Sequence, residues 1–303
     1  MKKRRLGKSD LYVSELGLGC MSLSTNPKNA QAVIEAALEE GINYFDTADL
    51  YDFGENEQIV GQVLKPIRDK IIIATKAGNR WNENKDGWSW DPSKKHIKEA
   101  VKQSLTRLGT DYIDLYQLHG GTMEDPIDET IEAFEELMDE GFIRYYGISS
   151  IRPNVIREYV KKSNIVSVMM QYSMLDRRPE EVALPLLLEN SIGVVTRGPL
   201  AKGLLSNKML DKASQQGYLD YSFEELNHIL PLLREKLANS RTMTEIALQY
   251  NLAHPAISSV IAGASKVEQI KENARAVQAI PLSEEEFSII QSITKMNQYE
   301  QHR

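Results

Sequence analysis

The chain has a single cysteine in 303 residues, Cys20, so no internal disulfide can form and a reducing compartment is expected. No apolar run approaches the ~18 residues that suggest a membrane-spanning helix. There is no basic excess. The formal net charge is −7, with 36 Lys and Arg against 43 Asp and Glu, which argues against broad affinity for nucleic acid or anionic membranes. The start, MKKRRLGKSD, is basic but leads into no apolar h-region, so a cytoplasmic location is expected rather than secretion. Histidine is scarce, at five residues with no His-x-His pair. A metal-dependent barrel hydrolase, which needs several His and carboxylate ligands at strand ends, is therefore disfavoured. No Gly-x-Gly-x-x-Gly opens a helix after a strand, so a Rossmann site is not supported either.

What the chain does have is alternation. Eight short apolar runs read as strands: 16–21, 43–48, 71–77, 114–119, 145–150, 167–172, 193–198 and 258–263. They are nearly continuous in apolar character, as strands covered on both faces are. Helical patterns lie between them. AQAVIEAALEEG puts Val33, Ile34, Ala37 and Leu38 on one face and ends on Gly41, and SKKHIKEAVKQSLTRLG aligns Ile97, Val101, Leu105 and Leu108. In PEEVALPLLLEN, Pro185 is expected to kink the helix. Eight strand–helix units predict an α/β fold, a closed (β/α)8 TIM barrel formed as one domain over 1–303, with no linker or low-complexity tract. Ahead of the first strand, RRLGKSDLYVSE reads as a small hairpin plugging the barrel bottom. Two connections are long, 78–93 after strand three and roughly 199–240 after strand seven, and long loops in compact domains are often functional.

In such barrels the chemistry sits at the C-terminal ends of the strands. Strand two ends near Asp46 with Tyr51 just beyond, strand three carries Lys76, and strand four ends at His119. Each has a plain structural reading: a turn cap, an aromatic lid, a lysine reaching solvent, a core histidine. Together, on neighbouring strands, they suit proton transfer. A phenol, with a pKa near ~10, exchanges protons poorly at neutral pH, and a nearby ammonium lowers that value. Asp46 would hold Lys76, and His119 would orient a carbonyl oxygen. Such a set can deliver a proton to an oxygen becoming an alkoxide. The hydride for carbonyl reduction must come from a nicotinamide cofactor, since no side chain supplies one. The loop GNRWNENKDGWSWDPS holds all three tryptophans, Trp81, Trp88 and Trp90, either as a substrate-pocket wall or as packing on the barrel.

These segments resemble the aldo-keto reductases. The resemblance is carried by LGLGCMSLS, GINYFDTADLYDFGENEQIVGQVL, IIIATKAG, SLTRLGTDYIDLYQLHG, AFEELMDEGFIRYYGISS, MMQYSML, GPLAKGLL and VIAGASKVEQIKEN, in the family's order over about 20–275. The best match is to the bacterial general oxidoreductase-like branch, which is related to potassium-channel β subunits. The resemblance implies that Asp46, Tyr51, Lys76 and His119 are the catalytic tetrad, and that NADPH lies across the barrel mouth. Gly19, Cys20, Met21 and Asp46 would then lie along it, with Ser149, Ser150 and Gln171 at the carboxamide. Ser150 stands where the family often has asparagine. Arg197 stands where many relatives stack a tyrosine on nicotinamide, and a guanidinium plane can also stack. Gly198, Pro199, Leu200, Lys202 and Gly203 would wrap the pyrophosphate. Gly263, Ser265, Lys266 and Gln269 would hold a 2′-phosphate, and Asn273 the adenine. The activity implied is reversible NADPH-dependent reduction of aldehydes and ketones. The alternative is a cofactor-binding regulatory or redox-sensing subunit with slow turnover.

Overall fold

The computed structural model describes residues 1–82, 84–238 and 241–303. Two short strands, β1 (Lys3–Arg5) and β2 (Tyr12–Ser14), pair antiparallel ahead of the barrel. Then follow β3 (Leu16–Gly19), α1 (Pro27–Glu39), β4 (Tyr44–Asp46), α2 (Glu55–Leu64) and β5 (Ile72–Ala77). A second hairpin, β6 (Asn79–Trp81) and β7 (Trp88–Trp90), precedes α3 (Lys94–Leu108). Next come β8 (Ile113–Leu118), α4 (Ile127–Asp139), β9 (Ile143–Ser149), α5 (Pro153–Lys162), β10 (Ser167–Gln171), α6 (Ala183–Glu189) and β11 (Gly193–Arg197). The remaining elements are α7 (Phe223–Leu237), α8 (Met243–Ala253), β12 (Ile257–Gly263), α9 (Val267–Gln278) and α10 (Glu284–Ile293). Strands β3, β4, β5, β8, β9, β10, β11 and β12 are parallel neighbours in chain order, and β12 closes onto β3. The eight-stranded barrel read from the sequence is present.

Two apolar layers follow from the two faces of each strand. Tyr44, Ile72, Ala74, Leu115, Met169, Val195 and Ile261 fill the interior. Their neighbours Phe45, Ile73, Tyr116 and Val194 point outward and pack with Ile34, Ile97, Val101 and Phe134 of the helices. Full burial of such a side chain contributes roughly 1.5–3 kcal/mol. Leu6, Leu11 and Val13 of the first hairpin belong to the interior cluster, so that hairpin closes the barrel floor as expected. The floor turn needs glycine at Gly7, where φ is +55° and a Cβ would stand 2.2 Å from the Val166 carbonyl oxygen.

One expectation is corrected and two are sharpened. Pro185 lies in the first turn of α6, where its missing N–H would have no intrahelical partner, so it starts a helix and kinks nothing. The connection after strand seven is long as expected, and its irregular stretch, 198–222, is followed by α7 and α8 before β12. The connection after strand three is an antiparallel hairpin, with Trp81 opposite Trp88 and Asn79 opposite Trp90.

Candidate active site

Strand parity decides what reaches the barrel mouth. Side chains alternate along a strand, so residues an even number of positions beyond an interior residue also point inward. Counting on from Tyr44 gives Asp46, and from Ile72 and Ala74 gives Lys76. Leu115 leads to Gln117 and His119, Met169 to Gln171, Val195 to Arg197, and Ile261 to Gly263. The inward line of β3 is Gly17 and Gly19. A Cβ on Gly17 would meet Ile261 at 2.4 Å, so bulk from neighbouring strands already fills that side.

The predicted tetrad comes together. Lys76 Nζ donates to Asp46 Oδ2 at 2.7 Å and to the Thr47 carbonyl at 2.7 Å. It also lies 3.5 Å from the Tyr51 hydroxyl. Three oxygens thus surround the three N–H bonds of an ammonium. Lys76 has no lone pair to offer when charged, so the Tyr51 oxygen accepts and its own hydrogen is free to point into the mouth. The Tyr51 and His119 rings meet edge to face at 5.9 Å between centroids. Backbone bonds fix the frame: Thr47 N donates to Ala74 O, Asp49 N to Lys76 O, and His119 N to Ala77 O.

Electrostatics follow from depth. Burial works most strongly against charge on Lys76, but Asp46 and Tyr51 together outweigh it, so the ammonium is held above its ordinary value. Burial lifts the Asp46 carboxyl while Lys76 pulls it back. The 2.7 Å contact and the three-oxygen cage fit an ionised pair. Burial also lifts the Tyr51 phenol, and Lys76 opposes that lift without cancelling it. This corrects the expectation that Lys76 lowers the phenol's value outright. His119 is pushed down to about 3 by burial, with Lys76 and Arg197 adding to the effect, so its ring is neutral at pH 7.

The residues fit a nicotinamide cofactor on several counts. Asp46 Oδ1, His119 Nδ1 and both amide atoms of Gln117 are buried without a partner among the described residues, which leaves acceptors and donors unspent at the mouth. Around them, Arg197 Nη1 donates to Gln171 Oε1 at 3.0 Å, and Gln171 Nε2 donates to Asp176 Oδ2 at 2.9 Å. Arg197 is therefore turned to the mouth, and its charge is felt at Asp46, Tyr51 and His119. Gly263 ends β12 against Ser22, whose Oγ would stand 2.3 Å from an added Cβ, so only a bare backbone fits there.

Other predicted positions are more constrained. The Cys20 thiol is fully buried and pushed up by that burial, and its carbonyl accepts from Asn56, so it offers little to a ligand. Met21 is exposed beside it. Ser150 is buried, with its Oγ accepting from Arg152 N at 3.2 Å, while Ser149 ends β9 half-buried. In the turn after β11, Gly198, Ala201, Lys202 and Gly203 all have positive φ. The N–H groups of Ala201, Gly203 and Leu204 are used inside that turn, so part of the expected anion nest is already occupied. At the start of α9, Gln269 Oε1 accepts from the N–H groups of Ser265 at 2.8 Å and Lys266 at 3.2 Å. Any phosphate there must displace or join that amide. Asn273 is buried one turn further on.

The three tryptophans separate. Trp90 lies over Gly78 and Gly120 and donates from Nε1 to Asp125 at 2.9 Å, a packing role at the mouth's edge. Trp81 meets Phe53 edge-on and lies under the Arg107 guanidinium, while Trp88 is 60% exposed. Sequence reasoning missed Gln117, which pairs with Lys76 across β5 and β8 and follows from parity. It also missed Asp49, Glu57 and Arg107, which cluster behind Tyr51.

The profile of the Aldo/keto reductase family matches residues 15–295. The chain is 64% identical, over the full length of both, to "Uncharacterized oxidoreductase YqkF" of Bacillus subtilis (strain 168). It is 32% identical to the "NADH-specific methylglyoxal reductase" of Escherichia coli (strain K12), covering 97% of this chain and 99% of that one. Among solved structures it resembles the holo form of aldo-keto reductase AKR11C1 from Bacillus halodurans, with a TM-score of 0.95 and 62% identity over 100% of this chain and 99% of that one. With this barrel, this cluster at its mouth and these matches, the chain belongs to the aldo/keto reductase family of oxidoreductases.

Proposed function

We propose that the protein reduces small aldehydes or ketones to alcohols with NADPH, reversibly, and that the whole chain, 1–303, works as one barrel unit. The observation that carries the reading is the Tyr51 hydroxyl, 3.5 Å from a lysine that is itself anchored to Asp46 at 2.7 Å. Bound nicotinamide supplies the hydride. Tyr51 donates the proton to the carbonyl oxygen. Lys76, charged and fixed, stabilises the phenolate that remains. Neutral His119 offers a ring N–H to the same oxygen and orients it. Burial at this depth excludes competing water and strengthens these interactions.

Asp46, Gln117, Gln171 and Arg197 would hold the nicotinamide half of the cofactor, with Ser149, Ser150, Gly19 and Met21 alongside. The turn Gly198–Gly203 and the start of α9 would hold the phosphates, through Gly263, Ser265, Lys266 and Gln269. The choice of NADPH rests on Lys266, exposed at the α9 N-terminus, where a cation opposes the helix dipole unless it meets an anion. A relative named as NADH-specific makes this choice one to measure. The central experiment is Tyr51→Phe in a spectrophotometric assay with a panel of carbonyl compounds. Loss of general acid catalysis is expected to lower kcat/KM by about 10²–10⁴-fold with NADPH affinity retained. Wild-type turnover in that variant would remove Tyr51 from the mechanism.

A further inference from the structure

Tyr51 begins an unusual turn. Asp52 and Phe53 have φ of +47° and +53°, and Gly54 follows at +87°. Non-glycine residues rarely hold this conformation, and they keep it only where their surroundings impose it. The imposing group is on another helix. Arg107, near the end of α3, lays its stem on Gly54, where an added Cβ would stand 2.7 Å from Arg107 Cδ and 2.9 Å from Nε. The guanidinium is held from three sides. Nε donates to Glu57 Oε2 at 2.6 Å, Nη2 donates to Ser104 Oγ at 3.1 Å, and the ring of Trp81 lies 5.5 Å away. Glu57 has no exposed side-chain surface, and its other oxygen accepts from Thr75 Oγ1 at 2.6 Å, next to Lys76 on β5. Trp81 also meets the Phe53 ring edge-on at 6.3 Å.

We infer that Arg107 is a positioning residue for Tyr51. Clamped by Glu57 and Trp81, it holds the Asp52–Gly54 turn in its left-handed form and so keeps the phenol beside Lys76. The clamp joins three parts of the molecule: the turn that carries Tyr51, the strand that carries Lys76, and the tryptophan hairpin. The inference rests on the reading of Tyr51 as proton donor. Without Arg107, the buried Glu57 carboxylate loses its cation and the turn loses its wall. Tyr51 then drifts from Lys76, while the mouth that binds cofactor and substrate is unchanged.

The test uses the full chain with NADPH and a small aldehyde, and the pH profile of alcohol oxidation. Tyr51 is faced by Lys76 on β5, Asp46 on β4, Arg197 on β11 and His119 after β8. Of these, Lys76 stabilises phenolate by direct contact. In Arg107→Ala, kcat should fall about tenfold or more, as misplacement of a reacting group by ~1 Å does, with KM and NADPH affinity within about twofold. The ascending limb of the profile, which Tyr51 sets by losing its proton, should move to higher pH, because the phenolate has lost its cation. Arg107→Lys, which keeps the charge, should recover part of the rate. Adding Arg107→Ala to Tyr51→Phe should cause little further loss, since the two act on one step. Should Arg107→Ala fail to fold, Arg107→Gln with Glu57→Gln removes both charges and should show the same profile shift. An unchanged kcat, an unmoved ascending limb, or an undiminished loss in the Tyr51→Phe background overturns the inference. Wild-type turnover of Tyr51→Phe alone overturns instead the proton-donor reading beneath it.

Discussion

At the scale of single residues, the site is governed by how few partners a deep group can have. Lys76 is 1% exposed and its carboxylate partner Asp46 only 5%. Lys76→Met would leave Asp46 buried without its cation, a change that typically costs about 3–5 kcal/mol. We expect urea denaturation of that variant to show such a loss, together with loss of carbonyl reduction. Asp46→Asn added to it should restore stability and not activity. His119 gives a second expectation. Its folded value, about 3, lies below the ordinary 6.5 of the unfolded chain, so the unfolded state takes up the proton first as pH falls. The stability it contributes is present above pH ~6.5 and declines as pH drops from there toward ~3. His119→Gln should flatten that part of the stability–pH curve. Activity between pH 5 and 8 should show no acid limb from this ring. Asp46, Tyr51, Lys76 and His119 were legible in the sequence because each lies at or just beyond the end of a strand and bears a polar group that stands out from an apolar run. Gln117 was less visible, since one amide inside DLYQLHG reads as a minor interruption until parity places it beside Lys76. The Tyr51 shift was misjudged because a sequence shows the neighbouring charge and not the depth of burial.

At the scale of elements, the proposed specificity rests on two segments. The start of α9 is self-capped by Gln269, and Lys266 stands exposed beside it. A charge-assisted hydrogen bond to an anion contributes ~1.5–3 kcal/mol, so Lys266→Ala should reduce the ratio of NADPH to NADH affinity by about tenfold or more. Fluorescence titration with each cofactor measures this, and an unchanged ratio would detach Lys266 from the 2′-phosphate. The tryptophan hairpin gives a contrast within one element. Trp90 is anchored on Gly78, Gly120 and Asp125, so Trp90→Ala should lower the melting temperature and depress all substrates alike. Trp88 is exposed, so Trp88→Ala should leave stability unchanged and selectively weaken bulky apolar carbonyls, where such contacts are worth ~1–3 kcal/mol. Specificity constants for a small and a bulky substrate, beside thermal melts, separate the two. Element boundaries were less legible than the strands. α7 carries Pro231 in its interior, which reads as a breaker, although its Ser222–Glu225 capping box marks a start. α8 is buried on nearly every side, including Thr244, Gln249 and Asn251, so it shows no polar face and no period to read.

At the scale of the molecule, eight strands and their crossovers were readable because a parallel sheet covered on both faces leaves an apolar signature in every strand. The clamp behind Tyr51 was not, because its members, Phe53, Glu57, Trp81 and Arg107, come from three separate stretches that only the closed barrel brings together. The first hairpin has a consequence of its own. With Leu6, Leu11 and Val13 stoppering one end and the interior already filled by side chains, ligands reach the barrel only from its opposite rim. Traffic is therefore one-sided. On the proposed reading, cofactor and carbonyl compound share that one rim, and whichever settles first narrows the approach of the other. A filled and stoppered barrel would thus make the order of arrival and departure a property of the architecture.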